Sequence, residues 1–117
     1  MPKALPVIDM TDPVRCAPVA AAPADDAAAL DVALRLKALA DPVRVKMLSL
    51  LFTCAEPCTT GSLAAAVGLA ESTVSHHLTQ LRIAGFIASE RQGMSVHHTP
   101  RRDALTALCK VLDPGCC

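Results

Sequence analysis

Between Ser72 and Leu81 the chain reads Ser72-Thr73-Val74-Ser75-His76-His77-Leu78-Thr79-Gln80-Leu81. Its apolar positions, Val74, Leu78 and Leu81, recur at i, i+4 and i+7, the spacing of one buried helix face. At about 100° per residue, Ser72, His76 and Thr79 point the other way, flanked by Thr73 and Gln80. An ordinary solvated helix would show a Glu/Lys mix there. Hydroxyls, an imidazole and an amide instead suit contact with base edges in a DNA groove.

The same patterning organises the rest of the chain. Residues 1–26 hold Pro2, Pro6, Pro13, Pro18 and Pro23 among Ala and Asp, which predicts an extended arm rather than a packed element. A first helix is expected over 27–39, with Leu30, Leu34, Leu36 and Leu39 as its apolar contacts. A second starts at Asp41-Pro42, where Asp caps and Pro suits the first helical position. It runs through Val45, Leu48, Leu51 and Phe52 and ends near 53–56, because Pro57 turns Glu56 away from helical angles. Thr60 is expected to cap a short helix over 61–67, which Gly68 terminates. A tight turn then leads into the polar-faced helix over 72–84, so the pair reads as a helix-turn-helix. Two strand-like runs, 86–90 and 95–99, flank Arg91-Gln92-Gly93-Met94 and predict a β-hairpin. Pro100 opens a last helix over about 102–112, with Leu105, Leu108 and Leu112 on one face. The expected fold is mainly α with a small β-hairpin, a winged helix-turn-helix over 27–113, with a cysteine-containing tail over 114–117.

Composition narrows the class. The 117 residues are 52% hydrophobic, with two Phe and no Trp or Tyr. Length points to one domain, and the core must be Leu, Val and Ala. The lack of aromatics argues against single-strand or RNA binders that stack bases. Net charge is zero, yet unevenly spread. Residues 1–31 carry Lys3 and Arg15 against Asp9, Asp12, Asp25, Asp26 and Asp31. Residues 72–102 carry Arg82, Arg91, Arg101 and Arg102 against Glu90 alone, as expected if one face meets phosphate. Within 1–117 there is no run of ~18 apolar residues and no signal-peptide core. A reducing cytoplasm is the expected compartment, where six cysteines read as metal ligands or redox thiols. No Gly-rich phosphate loop, paired carboxylates or nucleophile motif points to an enzyme.

Cys54 and Cys58 flank Pro57 in a C-x₃-C spacing, near enough at a helix end to hold one soft ion. Cys16 lies on the arm; some ten extended residues span about 30 Å, so it can reach that pair in its own subunit or a partner's. Three thiolates without a fourth ligand suit As(III) or Sb(III), whereas tetrahedral Zn usually takes four. Cd(II), Pb(II) and oxidation of the thiols remain alternative signals, and a soft-metal carrier is an alternative of another class. Against these stands the ordinary role of Cys as a small buried hydrophobe. Cys109 reads as packing on the last helix, and Cys116-Cys117 as a tail pair, the three together forming a competing site. His97 and His98 fall on a strand and alternate between faces, one inward and one to solvent. His77 lies nearer the core side of its helix, where it packs or meets phosphate.

Ala38-Leu39-Ala40-Asp41-Pro42-Val43-Arg44, Ser72-Thr73-Val74-Ser75-His76-His77-Leu78 and Leu81-Arg82-Ile83-Ala84-Gly85-Phe86-Ile87 closely resemble, in order and spacing, the ArsR/SmtB family of metal-responsive winged-helix repressors. The resemblance covers about 28–112. It implies a homodimer that binds a palindromic operator in double-stranded DNA and dissociates when a metal or metalloid binds. The cysteines resemble those of arsenic-sensing members, with As(III) or Sb(III) as inducer. Ser72, Thr73, Ser75, His76, His77, Gln80, Arg82 and Arg91 are the implied DNA contacts. Cys16, Cys54 and Cys58 are the implied ligands. Two positions depart from the family pattern: Ala70 stands where many members carry a capping Ser, so Glu71 or Ser72 must cap, and Met94 replaces the Arg after the wing glycine. The nickel- and zinc-type site of the last helix lacks its histidines here.

Overall fold

The computed structural model describes residues 7–54 and 58–115. Its elements run α1 (Asp26–Leu39), α2 (Pro42–Thr53), β1 (Cys58–Thr59), α3 (Thr60–Val67), α4 (Glu71–Ile83), β2 (Ile87–Gln92), β3 (Ser95–Pro100) and α5 (Arg102–Leu112).

The helix boundaries follow local chemistry. Asp25 accepts from Ala28 N at 2.8 Å to start α1. Asp41 accepts from Val43 N at 2.8 Å, with Pro42 opening α2. The expected Thr60 cap is displaced by one residue: Thr59 caps α3, and Ser62 closes a reciprocal capping box with it. Gly68, at φ +73°, ends α3 in the left-handed conformation. Neither Glu71 nor Ser72 caps α4. Its N-cap is Ala70, with no side-chain bond to the helix amides.

The sheet holds one strand that the sequence pattern does not reveal. β1 joins the hairpin in the order β1-β3-β2, all antiparallel, with Cys58 opposite His98 and Thr59 opposite His97. Two residues are too few to show an alternating period. The hairpin is also longer than expected, so only Gly93 and Met94 link its strands. Gly93 at φ +63° and Met94 at negative φ have the sign pattern of a type II′ turn.

The core lies where α2, α3, α4 and the sheet meet. Met47, Leu63, Val74, Leu81, Phe86 and Ile87 are at most 2% exposed. The α4 triad Val74, Leu78 and Leu81 is buried as its spacing predicts. The outer helices differ. α1 buries Val32, Arg35 and Ala38, not its leucines, and Leu36 is exposed. α5 buries Ala104, Leu108 and Val111, leaving Leu105 half-buried and Leu112 exposed. The described part of the arm explains α1. It has no helix or strand but folds back onto the body, burying Val14. Arg35 sits beneath it, bonded to Asp31 at 2.6 Å and to the Asp12 carbonyl at 3.0 Å. Val19 N and Ala20 N bond the carbonyls of Val111 and Leu112. Gly85, at φ +82°, lies against the Met10 carbonyl, where a Cβ would collide.

Truncating Phe86 leaves a void at the centre of this core. Phe86→Ala should lower unfolding free energy by about 3–5 kcal/mol, whereas Met94→Ala, fully exposed at the wing tip, should stay within about 0.5 kcal/mol. Urea titration at fixed protein concentration measures both; equal effects would contradict the placement of the core.

Candidate nucleic-acid face and thiol centre

α3, a turn over 68–70 and α4 form two helices of a helix-turn-helix, and β2–β3 stands beside them as a wing. Burial of Val74, Leu78 and Leu81 turns the opposite side of α4 outward, leaving Ser72, Thr73, Ser75 and His76 exposed and Gln80 half-buried. Thr79 spends its hydroxyl within the helix, donating to the Ser75 carbonyl at 2.9 Å. His77 is half-buried, and its Nδ1 accepts from Arg44 Nε at 3.0 Å.

The four arginines expected to meet phosphate divide into two kinds. Arg82 and Arg91 are exposed. Arg101 is engaged by the arm, donating to the Thr11 carbonyl at 2.6 Å and lying 3.7 Å from Asp103. The Arg102 guanidinium lies over the Phe52 ring, 4.8 Å from its centre. Arg44 is the residue that the sequence pattern missed. It stood in view in Asp41-Pro42-Val43-Arg44 as part of a helix start, but its contact with His77 joins residues 33 apart in the chain.

The thiols gather in part. Cys54 caps the end of α2 and is exposed; Cys58 opens β1 and is buried. Burial, and then the bond to Cys54 and its charge, push the Cys58 thiol up to about 11. Both line a pocket of about 270 Å³ with Leu50, Thr53, Ser62, Leu63 and Ala66. Cys16 is elsewhere. Its Sγ donates to Asp31 Oδ2 at 3.7 Å, in a separate pocket beside α1. Burial and the Asp31 carboxylate raise its pKa. Among the described residues no group of three or more His, Cys, Asp or Glu comes together to hold a metal. Cys109 is half-buried on α5 and disulfide-bonded. Cys116 and Cys117 lie outside the described residues.

His98 connects the thiol strand to the wing. It is buried, its Nε2 2.8 Å from Thr60 Oγ1 and its Nδ1 2.7 Å from Ser89 Oγ. His97 is half-buried and faces the other way, as strand alternation requires, and its buried Nδ1 has no partner. Burial, and then the charges of Arg82 and His97, depress the His98 pKa.

This arrangement is a winged helix-turn-helix. Residues 41–89 match the model of the arsR family of bacterial regulatory proteins. Over 75 residues the chain is 43% identical to the HTH-type transcriptional regulator NmtR of Mycobacterium tuberculosis, covering 64% of this chain and 61% of that protein. Among solved structures, NolR of Sinorhizobium fredii is 31% identical at a TM-score of 0.59, over 71% of this chain and 85% of that one. The homodimeric winged helix-turn-helix DNA-binding domain of Mb0332 from Mycobacterium bovis, described as a possible ArsR-family regulator, is 29% identical at a TM-score of 0.61, over 78% and 85%. Over residues 41–89 the chain carries an arsR-family regulatory domain. It spans about three fifths of the length of the first curated relatives that it matches.

A depressed histidine pKa has a definite sign in stability. Below its unfolded pKa of 6.5, the unfolded chain takes up a proton that folded His98 resists, so stability falls as pH drops. The wild type should lose stability between neutral pH and the depressed folded value, and His98→Gln should lose less across the same window. Urea unfolding at stepped pH measures the difference; parallel curves would contradict it.

Proposed function

We propose that the protein is a homodimeric transcriptional repressor, active in the cytoplasm, that leaves its operator when As(III) or Sb(III) binds its thiols. The observation that carries the inducer reading is the Cys54–Cys58 pair, which lines one pocket at the root of the wing sheet. The third thiolate in this reading is the partner's Cys16: within one protomer Cys16 and the pair line separate pockets. Dimer pairing through α1 and α5 accounts for the leucines that these helices leave outside the protomer core. Recognition helices of the two protomers would then enter successive major grooves about 34 Å apart. Ser72, Thr73, Ser75, His76 and Gln80 face the bases, and Arg82 and Arg91 the phosphates.

Proton bookkeeping favours a metalloid over a divalent metal. The Cys58 thiol, at about 11, holds its proton tightly. Arsenous acid suits such a donor: each S–H proton leaves with one arsenic hydroxyl as water, so three As–S bonds form with no net proton release. A Cd(II) or Pb(II) ion must expel each thiol proton into solvent. Arsenite affinity should therefore stay nearly flat between about pH 6 and pH 8, while cadmium affinity climbs with pH. Competition titrations with a chromogenic dithiol measure both; an arsenite curve as steep as the cadmium curve would contradict the assignment.

The Cys109 disulfide supports a second reading, in which thiol oxidation is the signal. Fluorescence anisotropy on an operator duplex selected with the wild-type protein separates the two. In the metalloid reading arsenite releases the wild type, Cys54→Ser and Cys58→Ser stay bound, and peroxide has little effect. Release by peroxide alone, abolished in Cys109→Ser, would transfer the signal to oxidation.

A further inference from the structure

We infer that Arg44 is a positioning residue for DNA binding, fixing His77 in the one tautomer that offers its Nε2–H to a backbone phosphate. The inference rests on the DNA-binding reading of α4 and goes beyond it. A guanidinium only donates hydrogen bonds and keeps its charge at any relevant pH. Arg44 Nε lies 3.0 Å from His77 Nδ1, so Nδ1 must present its lone pair and the ring proton must sit on Nε2. Arg44 is itself fixed. It lies in the first turn of α2, just after the Asp41 cap, and its Nη1 donates to the Ala38 carbonyl at 3.3 Å. The bond thus joins the α1–α2 corner to the middle of the recognition helix.

Two consequences meet at that point. Donation into Nδ1 polarises the ring and strengthens Nε2–H as a donor. The guanidinium also brings a positive charge to a half-exposed part of α4 that carries none of its own. Arg44 borders a surface pocket of about 370 Å³ together with Lys37, His76 and Gln80. A phosphate oxygen that meets His77 Nε2 would also lie near the Arg44 guanidinium that holds the ring. Because a phosphate contact carries no sequence information, the contact should strengthen binding to any duplex.

The test uses the 117-residue chain and a duplex of random sequence, about 24 base pairs long, at low salt. In ¹⁵N imidazole spectra of the wild type, His77 should show an unprotonated Nδ1 and a protonated Nε2, and duplex should shift Nε2. Arg44→Met should leave the two nitrogens averaged between tautomers and weaken duplex binding about tenfold. Arg44→Lys, which keeps a donor and the charge, should recover part of both. A protonated Nδ1 in the wild type, or Arg44→Met with unchanged affinity, would overturn the inference while leaving the DNA-binding reading intact. A wild type that fails to bind duplex would overturn both.

Discussion

The pairing of Cys58 with His98 is the contact on which the functional geometry depends. It makes a two-residue strand part of the wing sheet, so the thiol centre and the wing share one backbone ladder. Thr59, in the same strand, caps α3 and so fixes where the helix-turn-helix begins. Thr60 and Ser89 then hold His98 from either side. A change at Cys54 and Cys58 therefore acts on a strand already bonded to the wing and joined to α3. A coupling free energy of about 1–3 kcal/mol between two sites is enough for a 5- to 150-fold change in affinity, and this strand offers a short physical route for it.

The outward face of α4 has a different origin. Its position follows from burial of Val74, Leu78 and Leu81, which leaves α4 no choice of outward face. That part was legible in the chain, because a helix period of 3.6 states both the buried stripe and its opposite. The helix-turn-helix, the hairpin, the Asp41-Pro42 start and the Gly68 stop were legible for the same reason: each is local chemistry within a few residues.

What escaped the sequence is non-local. β1 is too short to carry a pattern. The buried faces of α1 and α5 fell on Val32, Arg35, Ala38, Ala104 and Val111 rather than on leucine rows, because the arm covers one side of α1. Prolines correctly ruled out regular structure in the arm but said nothing of its docking through Val14, Arg35 and Arg101. The contacts of Arg101 with a carbonyl of the arm and of Arg102 with the Phe52 ring are equally non-local and left no trace in the charge pattern. Among the candidate ligands, Cys54 and Cys58 come together, while Cys16 stays with Asp31.

The central claim is that Cys16, Cys54 and Cys58 form one inducer site across the dimer. Arsenic K-edge X-ray absorption on the arsenite-treated 117-residue chain tests it most directly. The account predicts a first shell of three sulfurs in the wild type and one sulfur fewer in each of Cys16→Ser, Cys54→Ser and Cys58→Ser. A shell of three sulfurs that persists in all three variants, or one dominated by oxygen in the wild type, would contradict it.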